Sequence, residues 1–201
     1  MQTLIEIEPK KEGQAASQKP LESFWVIPSP FRKLSAKHEL TRRQEDGWIL
    51  DGEQRIISFR ITTFQAVLDH LRSIAGSKVA KTVLNRIGEE IGRATFGYSK
   101  NEIVSKDHWK VLDDVLSVRG WGRCLSVDEI SHEPYVTYVY TIRDCPMCYD
   151  RKSTEPMCDI MRGLVTGWQE SILGRKAESS YEKDCIAQGA NFCVFHVSFK
   201  D

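Results

Sequence analysis

No run of apolar residues in this 201-residue chain extends beyond a few positions. A membrane-spanning helix needs about 18 or more, so no membrane span is expected. Net charge is missing too. Lys and Arg total 28 against 28 for Asp and Glu, which leaves no broad field to draw the chain to phosphate backbones or anionic lipid. Direct nucleic-acid binding is therefore not expected. The opening residues, Met1 to Lys11, carry acidic side chains where a secretory signal keeps an uninterrupted apolar stretch, and the expected location is cytoplasmic. Catalytic signatures are scarce as well. Gly88, Gly92 and Gly97 fall inside a helical pattern, and Gly120-Trp121-Gly122 has neither the strand nor the third glycine of a phosphate cradle. With no GxSxG, HExxH or P-loop, the expectation leans away from an enzyme.

What is present is enough for one packed domain: 41% hydrophobic and 28% charged residues exclude global disorder. Residues 1–54 read as an N-terminal extension, partly flexible, with Phe24-Trp25 as an apolar anchor. Residues 55–201 read as the domain. A strand is expected over Arg55 to Ile61, then a helix capped by Thr63 and ended by Gly76. A second helix starts at Ser77, and its Gly88 and Gly92 are spaced to let another element approach closely. A third begins at Ser105. β-Branched and aromatic residues then mark strands over Arg123 to Ser131 and Tyr135 to Ile142. A fourth helix has Pro156 in its first turn and stops at Gly174, and strands over Lys176 to Asp184 and Phe192 to Phe199 flank a turn with Gly189. The order predicts an α+β fold, helices packed on one face of an antiparallel sheet.

Six cysteines in a reducing compartment point to metal ligation or redox chemistry before disulfides. Cys124 stands apart and reads as a small buried hydrophobe, whereas Cys145, Cys148, Cys158, Cys185 and Cys193 all fall in the last 57 residues. Cys185 and Cys193 can meet across the final turn. Glu182 reaches the same end if the strand is bulged there, and Cys158 sits where a helix N-terminus favours a thiolate. Three sulfurs plus a carboxylate or fourth sulfur suit tetrahedral zinc. Cys145-Pro146-Met147-Cys148 competes for the fourth place, as an additional metal or redox group. His196 alternates away from Cys193 along its strand.

The segment Glu182-Lys-Asp-Cys185-Ile-Ala-Gln-Gly189-Ala-Asn-Phe-Cys193-Val-Phe195, preceded by Pro156-Met157-Cys158 and Gly163-Leu-Val-Thr-Gly167, resembles the 4-vinyl reductase (hydrocarbon-binding) domain family over 144–199. Over 55–143 the likeness is in the order of elements alone. The resemblance implies a fold like that of the transport-particle (TRAPP) subunits, with a buried hydrophobic cavity and a homodimer. It also implies zinc held by Cys158, Glu182, Cys185 and Cys193, as in phenol-sensing members. The function implied is a zinc-containing domain that binds a small hydrophobic or aromatic ligand as sensor or carrier. Alternatives within the resemblance are an enzyme or subunit of tetrapyrrole vinyl reduction and a cysteine-based redox switch. Candidates for the ligand pocket are His108, Trp109, Trp121, Tyr138 and Trp168, each of which would serve equally well as plain core or capped surface.

Overall fold

The computed structural model describes residues 40–43, 48–51, 54–101, 103 and 108–201. The expected anchor at Phe24-Trp25 and the helix start at Ser105 lie outside them. Three short strands come first, β1 (Leu40–Arg43), β2 (Trp48–Asp51) and β3 (Gln54–Ile56), forming an antiparallel sheet in chain order. This is a correction, since residues up to 54 read as an irregular extension. Strands of three or four residues carry too few positions for an alternating pattern to emerge.

Helices α1 (Ile61–Ala75), α2 (Ser77–Ser99) and α3 (His108–Val118) follow. α1 starts two residues before the expected Thr63 cap. Its first turn is closed by Phe64 N donating to Arg60 O at 2.9 Å, with no capping side chain, and the strand before it ends at Ile56. α2 runs well past Ile91, because Thr95 and Ser99 are buried and continue its inward face. The second sheet holds β4 (Arg123–His132), β5 (Tyr135–Arg143), β6 (Ser179–Asp184) and β7 (Cys193–Lys200) in the order β4-β5-β7-β6, all antiparallel. β6 begins three residues later than expected because Lys176 Nζ and Ala177 N are both turned to Glu170, at 2.8 and 3.1 Å.

α4 (Asp159–Leu173) lies at the centre and is buried from Gly163 to Glu170 without a break. It packs on β6 and β7 and is crossed by α2. The crossing is set by glycine on both helices. A Cβ on Gly88 would lie 2.1 Å from Ile160 O, and one on Gly92 2.1 Å from Leu164 O. In return Gly163 and Gly167 face Asn85 O and Glu89 O at 2.0 and 2.1 Å. The i, i+4 spacing puts each pair on one helix face, and their missing side chains allow backbone to meet backbone.

From the sheet, β5 contributes Val136, Tyr138, Tyr140 and Ile142 to the core, and β7 contributes Cys193, Phe195, Val197 and Phe199. That period of two is the pattern of strands with one buried face. Buried charges are paired. Asp113 accepts two bonds from Arg123, at 2.8 and 2.7 Å, and one from Cys124 N at 2.9 Å, which latches α3 to the start of β4. Glu170 is held by Arg93 and Lys176, both at 2.8 Å. Cys124 is buried beside this latch, and burial pushes its thiol well above the usual range.

Candidate metal centre and ligand cavity

Four chain segments bring sulfur to one point. The first is the buried turn Cys145-Pro146-Met147-Cys148, closed by Cys148 N donating to Cys145 O at 3.1 Å. The second is Cys158, the residue that precedes α4 and whose carbonyl accepts from Arg162 N at 2.9 Å. Pro156 therefore lies before the helix and not in its first turn. The last two are Cys185 and Cys193, which flank the short 3-10 turn Ile186–Gln188 and Gly189, where φ is +96°. All five cysteines are buried and free.

Cys148 Sγ lies 2.7, 3.5 and 3.3 Å from the sulfurs of Cys158, Cys185 and Cys193, and Cys158 Sγ lies 3.8 Å from both of the latter. An ion with four thiolates at about 2.3 Å would set sulfur–sulfur edges of about 3.8 Å, so the cage is near the size for one ion. Glu182 completes the group: ligand atoms of Cys148, Cys158, Glu182, Cys185 and Cys193 all lie within 4.8 Å of one another. The expected bulge is present, because the β6–β7 register shifts between Glu182 and Asp184. Glu182 Oε2 accepts from Cys158 N at 2.8 Å, while Oε1 is buried with no hydrogen-bond partner. A lone buried carboxylate oxygen beside four thiols fits a metal site.

The electrostatics agree with a set of groups that share too few protons. Burial pushes the Glu182 carboxyl up to about 8, and the neighbouring Cys185 adds to the rise while the Cys158 amide opposes it. Hydrogen bonds from Cys145, Cys158, Cys185 and Cys193 hold Cys148 well below the ordinary thiol range. Burial holds Cys158 well above it. The cluster can thus hold a soft divalent metal, which would replace the shared protons with one cation.

The structure therefore brings together Cys158, Glu182, Cys185 and Cys193, and adds Cys148 to them. The two-residue spacing of the CxxC was its signal. Cys145 lies 3.6 Å from Cys158 but outside the group. His196 points away and stacks on Tyr181, with ring centroids 4.8 Å apart.

A cavity of about 520 Å³ opens on the helical side, walled by Ile56 and Phe59, by Ile61 and Phe64 of α1, by Ile91 and Tyr98 of α2, and by Trp121 and Pro146. Trp121 meets Phe64 edge-on at 5.8 Å. Of the five sequence candidates, Trp121 stands in this wall. Tyr138 packs edge-on against Phe199 and Trp168 against Phe96, both in the core. His108 and Trp109 open α3, half-buried, with Lys110 over the Trp109 ring. The wall residues from 56 to 64 carry no motif, which is why sequence alone passed over them.

Residues 138–199 match the model of the 4-vinyl reductase domain family. No curated protein sequence matches the chain. Among solved structures, the phenol-responsive sensory domain of the transcription activator PoxR, determined with phenol, is similar at TM-score 0.67 and 20% identity over 79% of this chain and 84% of that one. A vinyl-4-reductase family protein from Methanocaldococcus jannaschii aligns at TM-score 0.50 and 23% identity over 71% and 82%. A trafficking protein particle complex subunit 3 from Naegleria fowleri, covalently bound to palmitic acid, aligns at TM-score 0.48 and 15% identity over 71% and 98%. No described helix is long and apolar enough to cross a membrane. With a four-stranded antiparallel sheet packed on a buried helix and the cysteine hairpin in its place, residues 138–199 are a 4-vinyl reductase domain.

Proposed function

We propose that the chain is a ligand-binding domain that takes a small hydrophobic or aromatic molecule in the 520 Å³ cavity and acts as a sensor or carrier. The cavity carries the reading. Its volume falls within the range of roughly 300–1,000 Å³ typical of small-molecule sites, and its wall is apolar with a few polar groups, among them Thr95 and the Tyr98 side chain. The fold shared with the PoxR sensory domain, whose structure holds phenol, supports the same reading. Thermal denaturation of the full chain with phenols, alkyl hydrocarbons and fatty acids tests it. The midpoint should rise with log concentration for apolar members of the panel, and no rise with any of them would sink the proposal.

The metal is proposed to be zinc, with a structural role. Cys158, Cys185 and Cys193 supply three ligands. For the fourth, the sulfur spacing favours Cys148 over Glu182, whose Oε2 is already engaged with the Cys158 amide. Zinc bound so would join four chain segments and leave no open coordination position. Elemental analysis of the purified chain should find about one zinc.

A thiol switch is the second reading, and Cys145 is the observation that favours it. This thiol is 3.6 Å from Cys158 and outside the cage, so metal loss would leave it a partner for disulfide formation. Thiol trapping before and after mild peroxide distinguishes the readings by whether zinc release accompanies oxidation.

We further propose a homodimer through α2. Val79, Val83 and Ile87 are 54, 38 and 44% exposed at i, i+4, i+8, an apolar stripe of the kind that marks an interface.

A further inference from the structure

The wall of the cavity and the cage of sulfurs share a segment of chain. Pro146 lines the cavity, and two residues later Cys148 Sγ sits among the other three sulfurs. α1 grips that segment. Its Ile61 and Phe64 line the cavity, and the adjacent Gln65 donates from Nε2 to the carbonyl oxygens of Pro146 and Tyr149, both at 3.0 Å. The turn bearing Cys148 is thereby held on either side of the thiol.

Two more contacts run the same way. Arg72, two turns along α1, donates from Nη2 to Met157 O at 3.0 Å, the carbonyl just before Cys158. On the opposite wall, Trp121 is followed by Gly122 at φ +102°, packed so tightly that a Cβ there would lie 2.5 Å from Arg143 O and 3.0 Å from Asp144 O. Those are the residues that lead into Cys145. The backbone presenting two of the four sulfurs is therefore positioned by the walls of the cavity.

We propose that cavity and metal centre are energetically coupled through this turn, with Gln65 as the positioning residue: an apolar ligand in the cavity tightens metal binding, and metal tightens ligand binding. This rests on the reading of cavity and cage given above. The physical reason is that one turn must satisfy both sites. A ligand packed on Phe64 and Pro146 holds the turn with Cys148 in place. A metal that fixes Cys148 holds Pro146 in the wall. Each event then orders a segment whose ordering the other would otherwise have to bear, and linkage makes the effect reciprocal.

The test uses the full chain loaded with Co²⁺ or Zn²⁺ and two probes, phenol and 2-naphthol. Addition of a bound probe should perturb the thiolate-to-cobalt charge-transfer band. Zinc affinity, measured by chelator competition, should rise by about 5–150-fold at saturating probe, and probe affinity should rise by the same factor when zinc is bound. Gln65→Leu should bring that factor close to one while leaving each affinity alone within a few-fold. Pro146→Ala, which keeps both cysteines, is the second variant should Gln65→Leu fold poorly. Equal probe affinities for zinc-loaded and metal-free protein would overturn the coupling and leave the cavity reading intact. A full factor in both variants would overturn the route. Failure of either probe to bind any form would sink the cavity reading and the coupling with it, and the absence of a thiolate-to-cobalt band would do the same for the metal.

Discussion

Cys148 and Glu182 make opposite demands on the same place in the cage, and single substitutions separate them. If Cys148 is the fourth ligand, Cys148→Ser removes a thiolate from the ion, whereas Glu182→Gln keeps an oxygen that can still accept from Cys158 N, now at 2.8 Å from Oε2. Zinc affinity should then fall by well over a hundredfold in the first variant and by roughly tenfold or less in the second, within the effect of an outer partner. Chelator competition measures both, and the reverse order would restore Glu182 to the ligand set. Cys124→Ser, at a thiol outside the metal-binding group, should leave metal content unchanged. At this scale the sequence was informative where spacing is short. Glu182, Cys185 and Cys193 lie on one hairpin, so strand alternation and a bulge nearly determine their meeting. Cys148 was harder to place, because its approach to Cys158 depends on the path of the chain between them and on the α1 side chains that hold the turn.

The crossing of α2 and α4 depends on four residues with nothing beyond Cα. A methyl on Gly88 would meet the backbone of Ile160 at 2.1 Å, and backbone inside a helix cannot give way as a side-chain tip can. Gly88→Ala should therefore destabilise the fold by on the order of 3 kcal/mol, the upper part of the usual overpacking range. Gly97 provides the control on the same helix. Nothing lies within 4 Å of its would-be Cβ, so Gly97→Ala should be neutral or stabilise by up to about 1 kcal/mol through helix propensity. Chemical denaturation of both variants checks the pair, and equal effects would refute the close-packing account. The spacing of Gly88 and Gly92 announced a close approach from sequence alone. Which helix approached was not legible, because Gly163 and Gly167 lie far along the chain and local periodicity carries no information on pairing partners. The three strands before α1 were missed for a related reason: runs of three or four residues owe their strand state to their neighbours in the sheet.

Assembly and metal loading set the behaviour of the whole molecule. The exposed stripe Val79, Val83 and Ile87 should make the chain elute as a dimer, and Val83→Glu, which places a charge in the centre of that stripe, should shift it toward monomer in light scattering behind size exclusion; an unchanged mass would place the interface elsewhere.

Metal removal probes a different link. The cage joins the turn at Cys148, the start of α4 and both ends of the β6–β7 hairpin, yet Trp168, Tyr140, Phe195 and Phe199 form a core fully buried without it. The domain should thus not behave like a zinc finger, which unfolds when stripped. It should stay folded with its secondary structure retained. What it loses is the linkage term, about 4 kcal/mol for free zinc at a thousand times Kd. For a protein of this size each kcal/mol corresponds to roughly 2–4 °C, so chelation should lower the melting midpoint by roughly 8–16 °C and restoring zinc should recover it. Calorimetry with and without chelator decides the matter. An unchanged midpoint would mean that no metal spans the cage. Complete loss of the transition would mean that the aromatic core cannot hold the sheet on α4 by itself.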